Sequence, residues 1–259
     1  MEIKKEKTIL VSNDDGIDSA GIHSLVKALS ELANVIVVAP ETQQSAVGHA
    51  ITVHRPLRVK EYKRDEKFFG YAVDGTPADC IKLAAHHLLE KKPDLIVSGI
   101  NHGSNTAISV IYSGTVSAAT EGTILGIPSF AISLTSFDTT ADFSTAADFS
   151  KQLSRLVLEK GLPKGTLLNV NVPPLQKKDI KKVVITRQGK SFWDNEFESR
   201  RDPDNREYFW LKGELIELDN EEDSDQKVIL DGNISITPIQ YDLTNNTFLK
   251  QLRDWKIEI

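Results

Sequence analysis

A single cysteine, Cys80, stands among the 259 residues, so an intrachain disulfide is impossible and zinc-ribbon or CxxC redox chemistry has no ligands. A reducing compartment is expected, with Cys80 itself a small core residue. An excess of positive charge is missing too: 31 lysines and arginines face 37 acidic residues, for a formal net charge of -6. That balance argues against a surface built for a nucleic-acid polymer. Small anions remain compatible with it, because one bound metal overrides the local charge. No apolar run approaches membrane-spanning length, and the opening MEIKKEKTILVSNDDG passes from a charged leader straight into a short apolar strand, without a signal-peptide hydrophobic region. A cytoplasmic protein with no membrane partner is expected. There is no GxGxxG after the first apolar strand, no GxxxxGK[ST] loop and no HExxH, so dinucleotide, nucleoside-triphosphate and zinc-protease chemistry lack their usual signals.

What is present is an alternation of short apolar runs and helical patterns. Thr8 to Ser12 reads as a strand, Ile22, Leu25, Val26, Leu29 and Leu32 mark a helix face, and Val35 to Ala39 reads as a second, buried strand. A right-handed β-α-β unit follows. The alternation resumes with helix Ala78 to Leu89, strand Leu95 to Ser98, helix Ser117 to Leu125, strand Ser129 to Ser133, helix Ala146 to Glu159 and strand Thr166 to Val172. Between the two series, Ile51 to Val73 reads as an antiparallel excursion at a sheet edge. The expected fold is α/β, a Rossmann-like doubly wound, mostly parallel sheet spanning residues 1–174, with a C-terminal extension rich in β structure over 175–259. In that extension Lys181 to Thr186 and Val228 to Ile239 read as strands, Asp194 to Arg206 as polar, Glu217 to Asp225 as a solvated acidic loop, and Phe248 to Trp255 as a short helix.

Open parallel sheets bind ligands outside the carboxyl ends of their strands. The loops selected by that rule carry Asp14-Asp15, Ser45 and Asn101. Adjacent carboxylates repel unless a cation or strong donors compensate them, and carboxylate, hydroxyl and amide oxygens together favour magnesium or manganese over zinc. Taken alone, Asp14-Asp15-Gly16 reads equally as a turn. A second cluster, Asn105 with Ser113, Gly114 and Thr115, precedes a helix whose first N–H groups form an anion site; ordinary N-capping is the alternative. His49 is either a hydrogen-bonding neighbour of the site or a loop-fixing residue, and Asn13 is a candidate support beside the ligands. His86 and His87 read as surface or packing residues.

The runs ILVSNDDGIDSAGIHSL, VVAPETQQSAVGHAIT, VDGTPADC, PDLIVSGINHGSN and YSGTVSAATEG, with TRQG and GNISITPIQYDLT further on, closely resemble the SurE stationary-phase survival protein family of metal-dependent 5′/3′-nucleotidases. The resemblance covers nearly the whole chain. It implies that Asp14, Asp15, Ser45 and Asn101 hold one divalent ion, Mg2+ or Mn2+, per subunit. It implies phosphate release from nucleoside 5′- and 3′-monophosphates, extending to short polyphosphate, and a homodimer or homotetramer with the C-terminal extension at the subunit contact. Metal-assisted in-line attack by water is the expected chemistry, with Asp14 or Asp15 orienting it. The segment His49 to Arg58 and the loop after Asn101 are candidate walls for sugar or base. A metal-dependent nucleotide sensor and a sugar-nucleotide transferase are the other functional classes compatible with these residues.

Overall fold

The computed structural model describes residues 7–194, 196–216, 219–255 and 257. In chain order the elements are β1 (Thr8–Ser12), α1 (Ala20–Leu29), β2 (Asn34–Pro40), β3 (Val59–Arg64), β4 (Lys67–Val73), α2 (Pro77–Leu83), β5 (Leu95–His102), α3 (Ser109–Tyr112), α4 (Gly114–Ile124), β6 (Ser129–Leu134), α5 (Ser144–Lys160), β7 (Thr166–Val172), β8 (Val183–Ile185), β9 (Phe192–Trp193), β10 (Glu196–Arg201), β11 (Glu207–Lys212), β12 (Leu215–Ile216), α6 (Asp225–Leu230), β13 (Ile234–Gln240) and α7 (Asn246–Leu252). Nine strands form one sheet in the order β3-β4-β2-β1-β5-β6-β7-β13-β8. The run from β4 to β7 is parallel throughout. The expected α/β doubly wound class is what the chain adopts. Among the described residues no helix is long and apolar enough to cross a membrane.

Two cores flank the sheet. On one face α1 and α5 pack Ile22, Leu25, Leu153 and Val157 against Ile9, Val97 and Ile132; on the other, Cys80 and Ile81 of α2 and Ala118 of α4 meet Leu10, Val38 and Ile96. Buried parallel strands need apolar residues on both faces, which is why β1, β5 and β6 read as continuous apolar runs. Helix α4 is buried on nearly every side and built of small residues. At Gly122 a Cβ would lie 2.4 Å from Ser129 Oγ and 2.6 Å from Ile96 Cδ1, so glycine lets the helix press onto β5 and β6. Direction reverses at β1: the chain runs from β1 to β2 on one side and returns to β5 on the other, leaving a crevice beyond the ends of β1 and β5.

The structure departs from the sequence reading mainly beyond residue 174. β13 pairs antiparallel with β7 and parallel with β8, so two strands of the extension complete the central sheet. The run Val228 to Ile239 is not one strand: Asp225–Leu230 is α6, Gly232 at φ +79 ends it, and only Ile234–Gln240 is extended. The polar stretch from Asp194 forms half of an antiparallel ribbon, β10 with β11, turned at 202–205 where Asp202 Oδ1 accepts from Arg206 N at 2.8 Å. In the acidic run Glu217 lies outside the described residues, but Asp219 and Asp225 are buried, against the expectation of a solvated loop. The helix from Ala78 changes pitch to a π-helix at Ala84–Leu88. In the edge excursion only 59–64 and 67–73 are strands, the second pairing parallel with β2.

Candidate active site

Asp14 leaves the end of β1, is buried, and lines a cavity of about 780 Å³ together with Ser45, Asn101, Asn105 and Ser113. Asn101 is aimed by a bulge. Ser98 faces Ala131, but Asn101 faces Ser133, so β5 carries one extra residue there, and a bulge re-aims the side chains that follow it. Asn101 Nδ2 donates to Gly103 O at 2.7 Å, and among the described residues nothing donates to its Oδ1. Ser45 sits on the exposed loop after β2, which is fastened where Gln44 N donates to Asp14 O at 2.7 Å. Asp15 does not line the cavity; its Oδ2 accepts from His102 N at 3.0 Å, tying the β1 loop to the end of β5.

Burial, followed by the neighbouring Asp15 charge, pushes the Asp14 carboxyl up to about 6, opposed chiefly by the Thr115 hydroxyl that donates to Asp14 Oδ1. Asp15 is also raised, chiefly by burial. Two adjacent carboxylates thus share a desolvated crevice, which disfavours their charged forms. Among the described residues Lys212 is the only lysine or arginine lining the cavity, and it is paired with Glu198. No group of three His, Cys, Asp or Glu side chains suited to a metal occurs among the described residues. The available donors are carboxylate, amide and hydroxyl oxygens, a set that fits a hard divalent cation.

Beside Asp14 lies the start of α4. A Cβ on Gly114 would come within 2.7 Å of Asp14 Cβ, so glycine permits the helix N-terminus to touch the carboxylate. Ser113 is the N-cap, its Oγ accepting from Val116 N at 3.1 Å. Its hydroxyl proton and the other first-turn N–H groups are not consumed by the helix ladder. Thr115 turns its hydroxyl to Asp14 instead of to the cavity. Asn105 is held on every side: its N donates to Asn171 Oδ1 at 2.9 Å, its Nδ2 to Ser133 Oγ at 2.9 Å, and its O accepts from Asn169 and Asn171. Asn13 Nδ2 braces the β1 loop through Gly16 O and Ser19 Oγ, while its buried Oδ1 has no partner among the described residues. His49 Nε2 meets Glu121 Oε2 at 3.0 Å. Burial raises the Glu121 carboxyl, but hydrogen bonds from His49 and Lys82 outweigh this and hold it below its ordinary value. His49 therefore fastens the Ser45 loop to α4, and residues 49–58, expected as a wall, do not line the cavity. His86 and His87 are exposed.

Sequence reading missed the groups that hold the loop 104–109. Ala107 has φ +48, a left-handed conformation that costs a non-glycine residue energy. It is clasped from both sides: its N–H donates to Asp225 Oδ2 at 3.0 Å and its carbonyl accepts from Gln188 Nε2 at 2.7 Å. Asp225 Oδ1 also accepts from Gly189 N at 3.0 Å and Gln226 N at 2.8 Å. Arg187 spans Asp219 and Asp223. The Thr186-Arg187-Gln188-Gly189 motif thus carries a structural clasp behind the cavity.

These features define a doubly wound α/β protein with a ligand cavity at the point where strand order reverses. The survival protein SurE family model matches residues 9–195, and the chain belongs to that family. It is 46% identical over 256 residues to a protein of Christiangramia forsetii named 5′-nucleotidase SurE, covering 98% of each chain. It is 48% identical over 250 residues to the 5′-nucleotidase SurE of Chlorobium luteolum, covering 96% of each. The crystal structure of the SurE protein from Aquifex aeolicus superposes with a TM-score of 0.84 at 42% identity, over 96% of this chain and 100% of that one.

Because Asp225 satisfies three buried N–H groups, Asp225→Ala should destabilise the fold by about 3 kcal/mol or more, given about 1–3 kcal/mol for each polar group left unsatisfied. It should also lower turnover by releasing the Ala107 loop. Thermal melting and activity of the purified variant check this; wild-type values of both would contradict the clasp.

Proposed function

We propose that this protein is a divalent-metal-dependent 5′-nucleotidase, releasing phosphate from nucleoside monophosphates. One observation carries the proposal: Asp14, Asn101 and the N-terminus of α4 meet at a single cavity, so a cation site and an anion site adjoin. The family membership agrees with it, since both relatives described above bear the name 5′-nucleotidase.

Asp14, Asp15, Ser45 and Asn101 would hold the ion, Mg2+ or Mn2+, one per subunit. Bound there, the ion supplies Lewis acidity toward the phosphoryl group. Ser113 and the Gly114 N–H donate hydrogen bonds to phosphate oxygens at the positive end of α4. Thr115 fixes the rotamer of Asp14 through its hydroxyl. Asn105, locked between β6 and β7, faces the phosphate with its remaining amide proton. Water attacks the phosphorus in line with the departing nucleoside hydroxyl, oriented by a carboxylate of the β1 loop. A site that recognises phosphate and metal first accepts 3′-monophosphates and short polyphosphate besides 5′-monophosphates. The enzyme works in the cytoplasm, in keeping with its lone, buried cysteine.

A homodimer or homotetramer is part of the proposal. Among the described residues the β10–β11 ribbon pairs only with itself, and it exposes Phe197, Tyr208, Phe209, Trp210 and Leu211. An isolated two-stranded ribbon is marginal in water, and apolar side chains exposed on both of its faces suit a subunit contact. Within residues 175–259 the contact role falls on this ribbon, because β8 and β13 are committed to the central sheet.

After chelation and metal add-back, nucleoside monophosphates should release phosphate with Mg2+ or Mn2+ and not without it. Asp14→Asn should cost about 100-fold or more, above the roughly 10–100-fold typical of losing a group that merely supports a metal ligand. Metal-independent release, or full activity in Asp14→Asn, would refute the scheme. Light scattering at micromolar concentration should give at least twice the chain mass, and a monomer would reject the ribbon contact.

A further inference from the structure

The cavity has two chemically different ends. Asp14, Asn101 and Ser113 form one; Tyr112, Phe137, Phe192 and Trp193 line the other. All four aromatic side chains remain exposed to solvent, Phe137 at 79%, Tyr112 at 55%, Phe192 at 43% and Trp193 at 40%. Grouped aromatic surface beside a polar centre is the usual form of a small-molecule site, and about 780 Å³ falls within the roughly 300–1,000 Å³ such sites occupy. A phosphate and its cation need only the polar end. The aromatic end therefore requires a ligand with a flat apolar part attached to its phosphate.

We infer that the aromatic end is a nucleobase clamp, with Trp193 as its principal stacking face. The inference rests on the nucleotidase reading and adds to it the residues that select the nucleoside. Trp193 is held in place before any ligand arrives: its Nε1 donates to Ser109 Oγ at 3.2 Å, and its backbone pairs with Leu215 in the short β9–β12 ladder. An indole fixed in this way loses little rotamer freedom on stacking. Phe137 is seated against Gly103, where a Cβ would fall 2.7 Å from its ring. Its loop is anchored by His102 Nε2, which lies 2.7 Å from Asp138 O. The Phe137 wall is thus tied to the strand end that carries Asn101, and the Trp193 wall to the start of α3. Tyr112 immediately precedes Ser113, so the stacking surface and the phosphate-binding turn are one continuous piece of chain.

The clamp also sets the kind of selectivity. Aromatic faces stack on every base, and among the described residues the polar side-chain groups beside these rings are few: the Tyr112 hydroxyl, Ser109 Oγ, which already accepts from Trp193, and Lys212, which is paired with Glu198. Base edges therefore meet little that distinguishes one from another. Purines, with the larger face, are favoured over pyrimidines, while adenine and guanine are treated alike.

Trp193→Ala and Trp193→Phe in the full-length protein test the clamp. Trp193→Ala should lower kcat/KM for AMP by about tenfold through KM, the order expected from losing one base–aromatic stack. It should leave glycerol phosphate hydrolysis and inhibition by inorganic phosphate within about twofold, since neither contacts the indole. Trp193→Phe should restore most of the AMP efficiency. Adenosine, which has no phosphate, reads the clamp without metal or turnover: equilibrium dialysis should find it bound by the wild type and lost in Trp193→Ala. Failure of the wild type to bind adenosine, equal binding by Trp193→Ala, or an equal loss on AMP and glycerol phosphate would overturn the clamp. Adenosine binding lost in Trp193→Ala, in a protein that releases no phosphate from any nucleotide, would uphold the clamp and overturn the nucleotidase reading alone.

Discussion

Two carboxylates next to each other in sequence, at the buried end of the strand where sheet order reverses, set the problem that the surrounding structure answers. Burial raises both Asp14 and Asp15, and the Asp15 charge raises Asp14 further. Each acquires a specific partner, the Thr115 hydroxyl for Asp14 and the His102 N–H for Asp15. These partners come from the two elements that shape the site, α4 and β5. Both partners are uncharged donors, a hydroxyl and a backbone N–H, and among the described residues the one lysine along the cavity is paired with Glu198. A net negative, oxygen-rich crevice of this kind is poorly suited to an anionic ligand by itself and well suited to one that arrives with a divalent cation.

The elements around the crevice are held by buried polar ties rather than by apolar packing alone. Glu121 receives both His49 and Lys82, joining the Ser45 loop and α2 to the helix whose N-terminus faces Asp14. On the far side Asp225 and Gln188 clasp Ala107 in its left-handed conformation. Such networks rigidify the structure when every member is satisfied and are costly when one is removed. The region beyond residue 174 therefore serves the site twice, bracing the loop after Asn101 from behind and lining the cavity with Phe192 and Trp193 in front.

Much of this was legible in the sequence because it is local. The strand Thr166–Val172 and the helix around α1 follow from runs and spacings within a dozen residues. The rule that ligands gather at strand ends points to Asp14, Ser45 and Asn101, and the pattern of a helix start points to Ser113; all four line the cavity. What escaped the reading depends on distance along the chain. Val228 to Leu230 is an apolar run that fits a strand or a helix equally until Asp225 and Gly232 fix its ends. The acidic run looked solvated because the partners of Asp219 and Asp225 lie 32 and up to 118 residues away. The aromatic wall gathers Tyr112 of α3, Phe137 from the loop after β6 and Trp193 of β9, segments that share no motif.

The oxygen atoms at the ends of β1 and β5 are proposed to form a divalent-cation site. Electron paramagnetic resonance of Mn2+ titrated into the metal-free protein tests it without reference to turnover, because bound and free manganese give distinct signals. The account predicts one bound ion per chain in the wild type, and binding abolished or weakened by about tenfold or more in Asn101→Ala, the lower bound for disturbing groups around a metal. Stoichiometric binding that survives unchanged in Asn101→Ala, or no binding by the wild type, would contradict it.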